Sequence, residues 1–82
     1  MDSEALALWI VQYLENLFNI TIEPSDHKTD FVDLGIDSTG LIGLSVDMSD
    51  WLDHDIELEV FIENRTISDA SQFIASMLSG NQ

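Results

Sequence analysis

The side chains able to do chemistry are few: one serine set in DFVDLGIDSTGL (residues 30–41), two histidines, His27 and His54, and a run of acids. A serine nucleophile needs a base held beside it, and neither histidine stands at a spacing that fixes it next to Ser38. The nucleophile elbow requires glycine two residues before the serine, where this chain has Ile36. Asp53, Asp55 and Glu57 alternate like the first ligands of an EF-hand loop. The sixth position of that loop, however, is Leu58 instead of glycine, and the twelfth is Asn64 instead of a bidentate glutamate. With no cysteine in the chain, disulfides and thiolate metal sites are excluded. The histidines read as solvated surface residues, no metal site is expected, and serine hydrolysis is disfavoured.

Ser38 itself remains. It lies where a loop becomes a helix, and a serine there commonly caps the helix. The same placement holds its hydroxyl in solvent beside unpaired backbone N–H groups and the positive end of the helix dipole, a natural seat for a phosphate ester. On the residues alone, cap and attachment point both stay open.

The elements that must position Ser38 are helical. Ser3 is a good N-cap, and Leu6, Trp9, Ile10, Tyr13, Leu14 and Leu17 then recur at helical spacing to about residue 18. Residues 19–37 break that pattern with the only proline, Pro24, and a polar cluster. They read as a long ordered loop whose apolar residues Phe31, Val32, Leu34 and Ile36 drop into the core. From Ser38 to Leu52, the residues Leu41, Leu44, Met48 and Leu52 form an inward stripe, although Gly40 and Gly43 weaken the helix. Ile56, Leu58, Val60 and Ile62 alternate like a strand that has no partner, so an extended connection into a short helical turn at 60–64 is expected. Thr66 and Asp69 resemble a capping box. Ile67, Ala70, Phe73, Ile74, Met77 and Leu78 then carry a last helix to Gly80. The expectation is an all-α, small four-helix bundle of three longer helices and one short one, a single domain over residues 1–82.

Size and charge narrow the function. Eighty-two residues suffice for one modest core but not for a deep pocket with catalytic walls, which favours a binding or carrier module. Sixteen Asp and Glu stand against Lys28 and Arg65, giving a net charge of −14. Such a field repels nucleic acid and anionic membranes and attracts basic partners. No secretory signal or membrane span is legible, and a cytoplasmic monomer is expected. On the second helix, Ile42 and Val46 project about 100–140° away from Leu41 and share their side with Asp47, Asp50 and Asp53. An apolar pair in an acidic rim suits docking of a basic partner.

FVDLGIDSTGLIGL, Phe31 to Leu44, resembles the F-x-[DE]-L-G-[IVL]-D-S-L motif of acyl and peptidyl carrier proteins. FIENRTISDASQFIA, Phe61 to Ala75, is similar to their L-F-[DE]-x-P-T-[IV]-x-D-L-A segment. The resemblance covers nearly the whole chain. It implies a 4′-phosphopantetheine arm on Ser38 whose terminal thiol holds an acyl group as a thioester, in a protein with no catalysis of its own. It assigns Asp37 to the phosphopantetheinyl transferase and its magnesium, and Ile42 and Val46 to partner contact. The implied partners are that transferase, an acyl-loading enzyme (an acyl-AMP ligase or acyltransferase), and ketosynthases or tailoring enzymes with basic patches. Thr39 replaces the usual leucine after the serine and bears on which of them accept the chain. Gly43 replaces a frequent acidic residue, Arg65 a frequent proline, and Asp53-His54 the glycine commonly found after the second helix. Trp51 near the end of that helix is similar to carriers of polyketide and lipopeptide assembly lines, and its own expected role is packing beside Leu44. Aminoacyl or peptidyl cargo, and an acidic helical adaptor with Ser38 as a mere cap, are the alternatives.

Overall fold

The chain is seen in a computed structural model that describes residues 2–79. Helix α1 runs over Ser3–Phe18, α2 over Ser38–Leu52, α3 over Leu58–Glu63 and α4 over Ile67–Leu78. The expected continuation to Gly80 lies outside the described residues. Two 3₁₀ turns, Pro24–Lys28 and Phe31–Leu34, interrupt the connection between α1 and α2. Among the described residues there is no strand, and the alternating 56–62 segment resolves into an extended entry and the short α3. The molecule is an all-α bundle of the expected kind.

The helices close in a ring, because α1 packs on α4 and α2, and α3 packs on α2 and α4. Its interior holds Leu6, Ile10 and Leu14 of α1, Leu44 and Met48 of α2, Phe61 of α3, and Ile67 and Ile74 of α4. Phe31 and Ile36 enter from the connection, and the Phe31 ring meets Phe61 edge-on at 6.2 Å between centroids. An edge-to-face pair adds to the stabilisation from burial alone.

Several expectations need correction. The N-cap of α1 is Asp2, whose carboxylate accepts from the Ala5 N–H at 2.9 Å, and not Ser3. Val32 is exposed, because the Phe31–Leu34 turn directs Phe31 and, in part, Leu34 inward and leaves Val32 on its outer side. In α3 Val60 and Phe61 are buried and Ile62 is exposed. Leu17 shares the angular face of Leu6 and Ile10 but lies in the last turn of α1, where no element covers it. Phe73 falls on the edge of the α4 face and is exposed, as Trp51 is on α2. Trp51 still packs, but on α1: its ring stacks on Trp9 at 4.8 Å, and Trp9 stacks on Tyr13 at 5.2 Å. Half of the expected capping box forms at α4, with Thr66 Oγ1 accepting from the Asp69 N–H at 3.0 Å.

Two features hold the start of α2 in place. Gly40 is buried against α1, where a Cβ would fall far inside contact distance of the Phe18 ring. The glycine that weakens the isolated helix is thus what lets its first turn approach α1. On the other side the connection is pinned to the link between α3 and α4: the Phe31 N–H donates to the Arg65 carbonyl at 2.9 Å, and Arg65 Nε donates to Asp30 Oδ2 at 2.8 Å. The Val32 N–H also donates to Asp30, and these two donors, that backbone N–H first, hold the Asp30 carboxyl below its usual range.

Candidate functional site

Asp37, not Ser38, caps α2. The Asp37 backbone is extended, and its Oδ1 accepts from the Gly40 N–H at 2.9 Å while its carbonyl accepts from the Leu41 N–H at 3.1 Å. Ser38 is therefore the first residue inside the helix, with an exposed side chain. Its hydroxyl has no hydrogen-bond partner among the described residues. A cap serine would have its oxygen committed to the helix end; this one is free. A phosphate ester at that position fits, because the first-turn N–H groups and the dipole favour an anion and no fold contact would be lost.

The neighbours fall in two groups. Thr39 is exposed beside Ser38, and Ile42 and Val46 are exposed on α2 at 48% and 61%, well above any level that would make them core residues. Val46, Asp47, Asp50 and Asp53 line one shallow depression with Ser49, His54 and Asp55, so the expected acidic rim is brought together. The acids sit where the helix dipole is negative, and no base occupies the last turn of α2. Each such charge costs the helix some tenths of a kcal/mol or more, so local stability does not explain it. Beyond the helix end, the Glu57 carboxyl is raised above its usual range, first by its hydrogen bond with Asp55 and then by that residue's charge.

Asp47 differs from the expectation. Its Oδ2 accepts from the Tyr13 hydroxyl at 2.6 Å, joining α2 to α1. Burial, then this bond, pushes the Tyr13 phenol up to about 12. Asp47 is thus partly structural, while Asp50 stays open to a partner.

The histidines stand away from Ser38. His54 follows the far end of α2, about 20 Å along a fifteen-residue helix at 1.5 Å per residue. His27 lines a depression with Glu4, Ala7, Leu8 and Val11 of α1, whereas the start of α2 meets the opposite end of that helix at Phe18. Among the described residues, no group of three or more His, Asp or Glu converges as metal ligands would.

The sequence reading missed two apolar residues near the site. Exposed Val32 and Ile62 line a cleft with Phe31, Leu41, Phe61 and the Asp30–Arg65 pair. The alternation in 56–62 carried part of that signal, but six residues of α3 do not fix a helical phase.

Comparison with known proteins bears on this geometry. The family described as "Phosphopantetheine attachment site" matches residues 8–74, which include the whole of α2 and α3 and most of α1. The chain is also similar to the acyl carrier protein TtuC of Teredinibacter turnerae, 31% identical over 76 residues that cover 93% of this chain and 87% of that protein. No solved structure matches it. Among the described residues no helix is long and apolar enough to cross a membrane. The chain belongs to the phosphopantetheine-binding acyl carrier family and is a carrier with covalently attached 4′-phosphopantetheine.

Proposed function

We propose that Ser38 is the attachment point and that the chain holds an acyl intermediate for enzymes of polyketide, lipopeptide or fatty-acid-like biosynthesis, performing no chemistry itself. The observation that carries this reading is the free, exposed Ser38 hydroxyl at the first turn of a helix already capped by Asp37. When bound, the arm supplies a thiol, and thereby thioester chemistry, to a chain without cysteine. The chain's own residues orient and present. Asp37 holds the first turn rigid, and Gly40 lets that turn rest on Phe18, so the hydroxyl is offered at a fixed position to a phosphopantetheinyl transferase.

Partner enzymes are recognised through Ile42 and Val46 together with Asp50 and the other acids along the outer face of α2. A basic patch on a loading enzyme or ketosynthase would relieve the unfavourable charge at the end of α2, so complementarity acts mainly on encounter rate and register. Tethering then raises the effective concentration of the acyl group at the partner's active site.

Incubating the protein with coenzyme A and a broad-specificity phosphopantetheinyl transferase tests the assignment. One arm is expected on the wild type and none on Ser38→Ala. An arm that still attaches to Ser38→Ala overturns the assignment of that residue.

A further inference from the structure

The seam between α1 and the far end of α2, about 20 Å along that helix from Ser38, carries an aromatic stack. Trp9 of α1 stacks on Tyr13 at 5.2 Å and on Trp51 of α2 at 4.8 Å, with planes within 14° and 5° of parallel. Tyr13 and Trp51 do not pair with each other among the described residues, so they take opposite faces of Trp9, and Trp51 ends the stack. It is 41% exposed, whereas a ring covered on both faces would show little beyond its edge. Packing inside the molecule thus leaves one indole face open.

The charges around the stack are one-sided. On α1 no charged residue stands between Glu4 and Glu15, and the exposed neighbours of the stack there are Gln12 and Asn16. On α2, Asp47 lies one turn before Trp51 on the same side, and its Oδ2 is engaged by the Tyr13 hydroxyl. Its other oxygen has no hydrogen-bond partner among the described residues, where the single salt bridge is Arg65–Asp30, away from the seam. An open indole face beside an uncommitted carboxylate oxygen complements a guanidinium, which lays its plane on the ring and donates from its edge.

We propose that this seam is a second docking face, and that it seats an arginine side chain presented by a partner protein. A second copy of this chain is a poor occupant, because two bodies of charge −14 repel each other. Nucleic acid and anionic lipid are repelled in the same way. At about 100° per residue, Trp51 stands about 140–180° round α2 from Val46 and Ile42, so a partner at the seam leaves the outer face uncovered. The carrier can then stay bound to one protein while it serves another. That consequence rests on partner docking at Ile42 and Val46; the arginine seat itself does not.

The test titrates the ¹⁵N-labelled whole chain, at low salt, with a short end-capped peptide holding one arginine among alanines and leucines, and with the same peptide carrying lysine instead. Both tryptophans of the chain are in the stack, so the two indole N–H signals read the seat directly. The arginine peptide is expected to move the Trp51 indole signal and to bind about two- to fivefold more tightly than the lysine peptide. Trp51→Leu, which keeps an apolar side chain against Trp9, should bind the two peptides equally. Leu8→Ala, at an exposed site elsewhere on α1, should keep the preference for arginine. Equal affinities in the wild type, or a preference that survives Trp51→Leu, overturn the seat. Shifts centred on Ile42 and Val46 overturn it while leaving the outer face of α2 as the docking surface. Should Trp51→Leu fail to fold, the wild-type indole shift and the ratio of the two affinities still decide.

Discussion

At the scale of single residues, adjacent polar side chains divide two tasks. Asp37 spends its carboxylate on the Gly40 N–H, which leaves the Ser38 hydroxyl uncommitted. Asp37→Ala should therefore lower stability by about 0.5–2 kcal/mol, whereas Ser38→Ala should change it by less than about 0.5 kcal/mol; denaturant titration of both variants measures this. Equal losses would mean that the serine shares the cap. Asp53 offers a second residue-scale test. It closes α2 with a left-handed backbone, φ 51°, that a side chain disfavours, and it places a negative charge at the negative end of the helix. Asp53→Gly is expected to raise stability by about 0.5–1 kcal/mol in the same titration. Which of two good capping residues does the capping was not legible in the sequence, because Asp and Ser serve almost equally well and only the backbone geometry separates them.

At the scale of elements, the long helices were legible with their inward faces, while the short α3 was legible in its presence but not in its phase. The fifteen residues of α2 repeat the inward stripe often enough to fix Leu41, Leu44 and Met48 as core, and that same phase turned Ile42 and Val46 outward. In the Phe31–Leu34 turn a single turn offers no repeat, so the pattern places Val32 inward where the structure exposes it, and in α3 nothing in the spacing tells that Ile62 faces out. Contacts between elements leave still less trace. Nothing near Asp47 in the sequence announces the Tyr13 hydroxyl, which comes from 34 residues earlier. That contact is directly measurable, because Tyr13 is the only tyrosine. Its raised phenol contributes stability in full below the ordinary tyrosine value of 10.0, and this is lost as pH rises through about 12. Ultraviolet titration should show the phenol still protonated at pH 11, and Asp47→Asn should lower the midpoint. A midpoint near 10 in the wild type would remove the α1–α2 link.

At the scale of the whole molecule, charge dominates. A net charge of −14 was plain from composition and the grouping of Asp47, Asp50 and Asp53 with Val46 from helical spacing, while the fold adds Asp55 and His54 to the same depression. Docking of a partner enzyme should slow by about tenfold or more as ionic strength rises from roughly 0.01 to 1 M and the Debye length shrinks from about 30 to 3 Å. Asp50→Lys is expected to reduce the association rate far more than it shifts thermal unfolding. Asp47 is a poorer probe of the same point, since its replacement also breaks the bond to Tyr13. Stopped-flow association at several salt concentrations, paired with melting curves, separates the two effects. The most direct measurement of the central claim is fragmentation mass spectrometry of the intact protein isolated from the cells that make it. A pantetheine adduct confined to Ser38 is the predicted result, and an unmodified Ser38, or an adduct on any other residue, would contradict it.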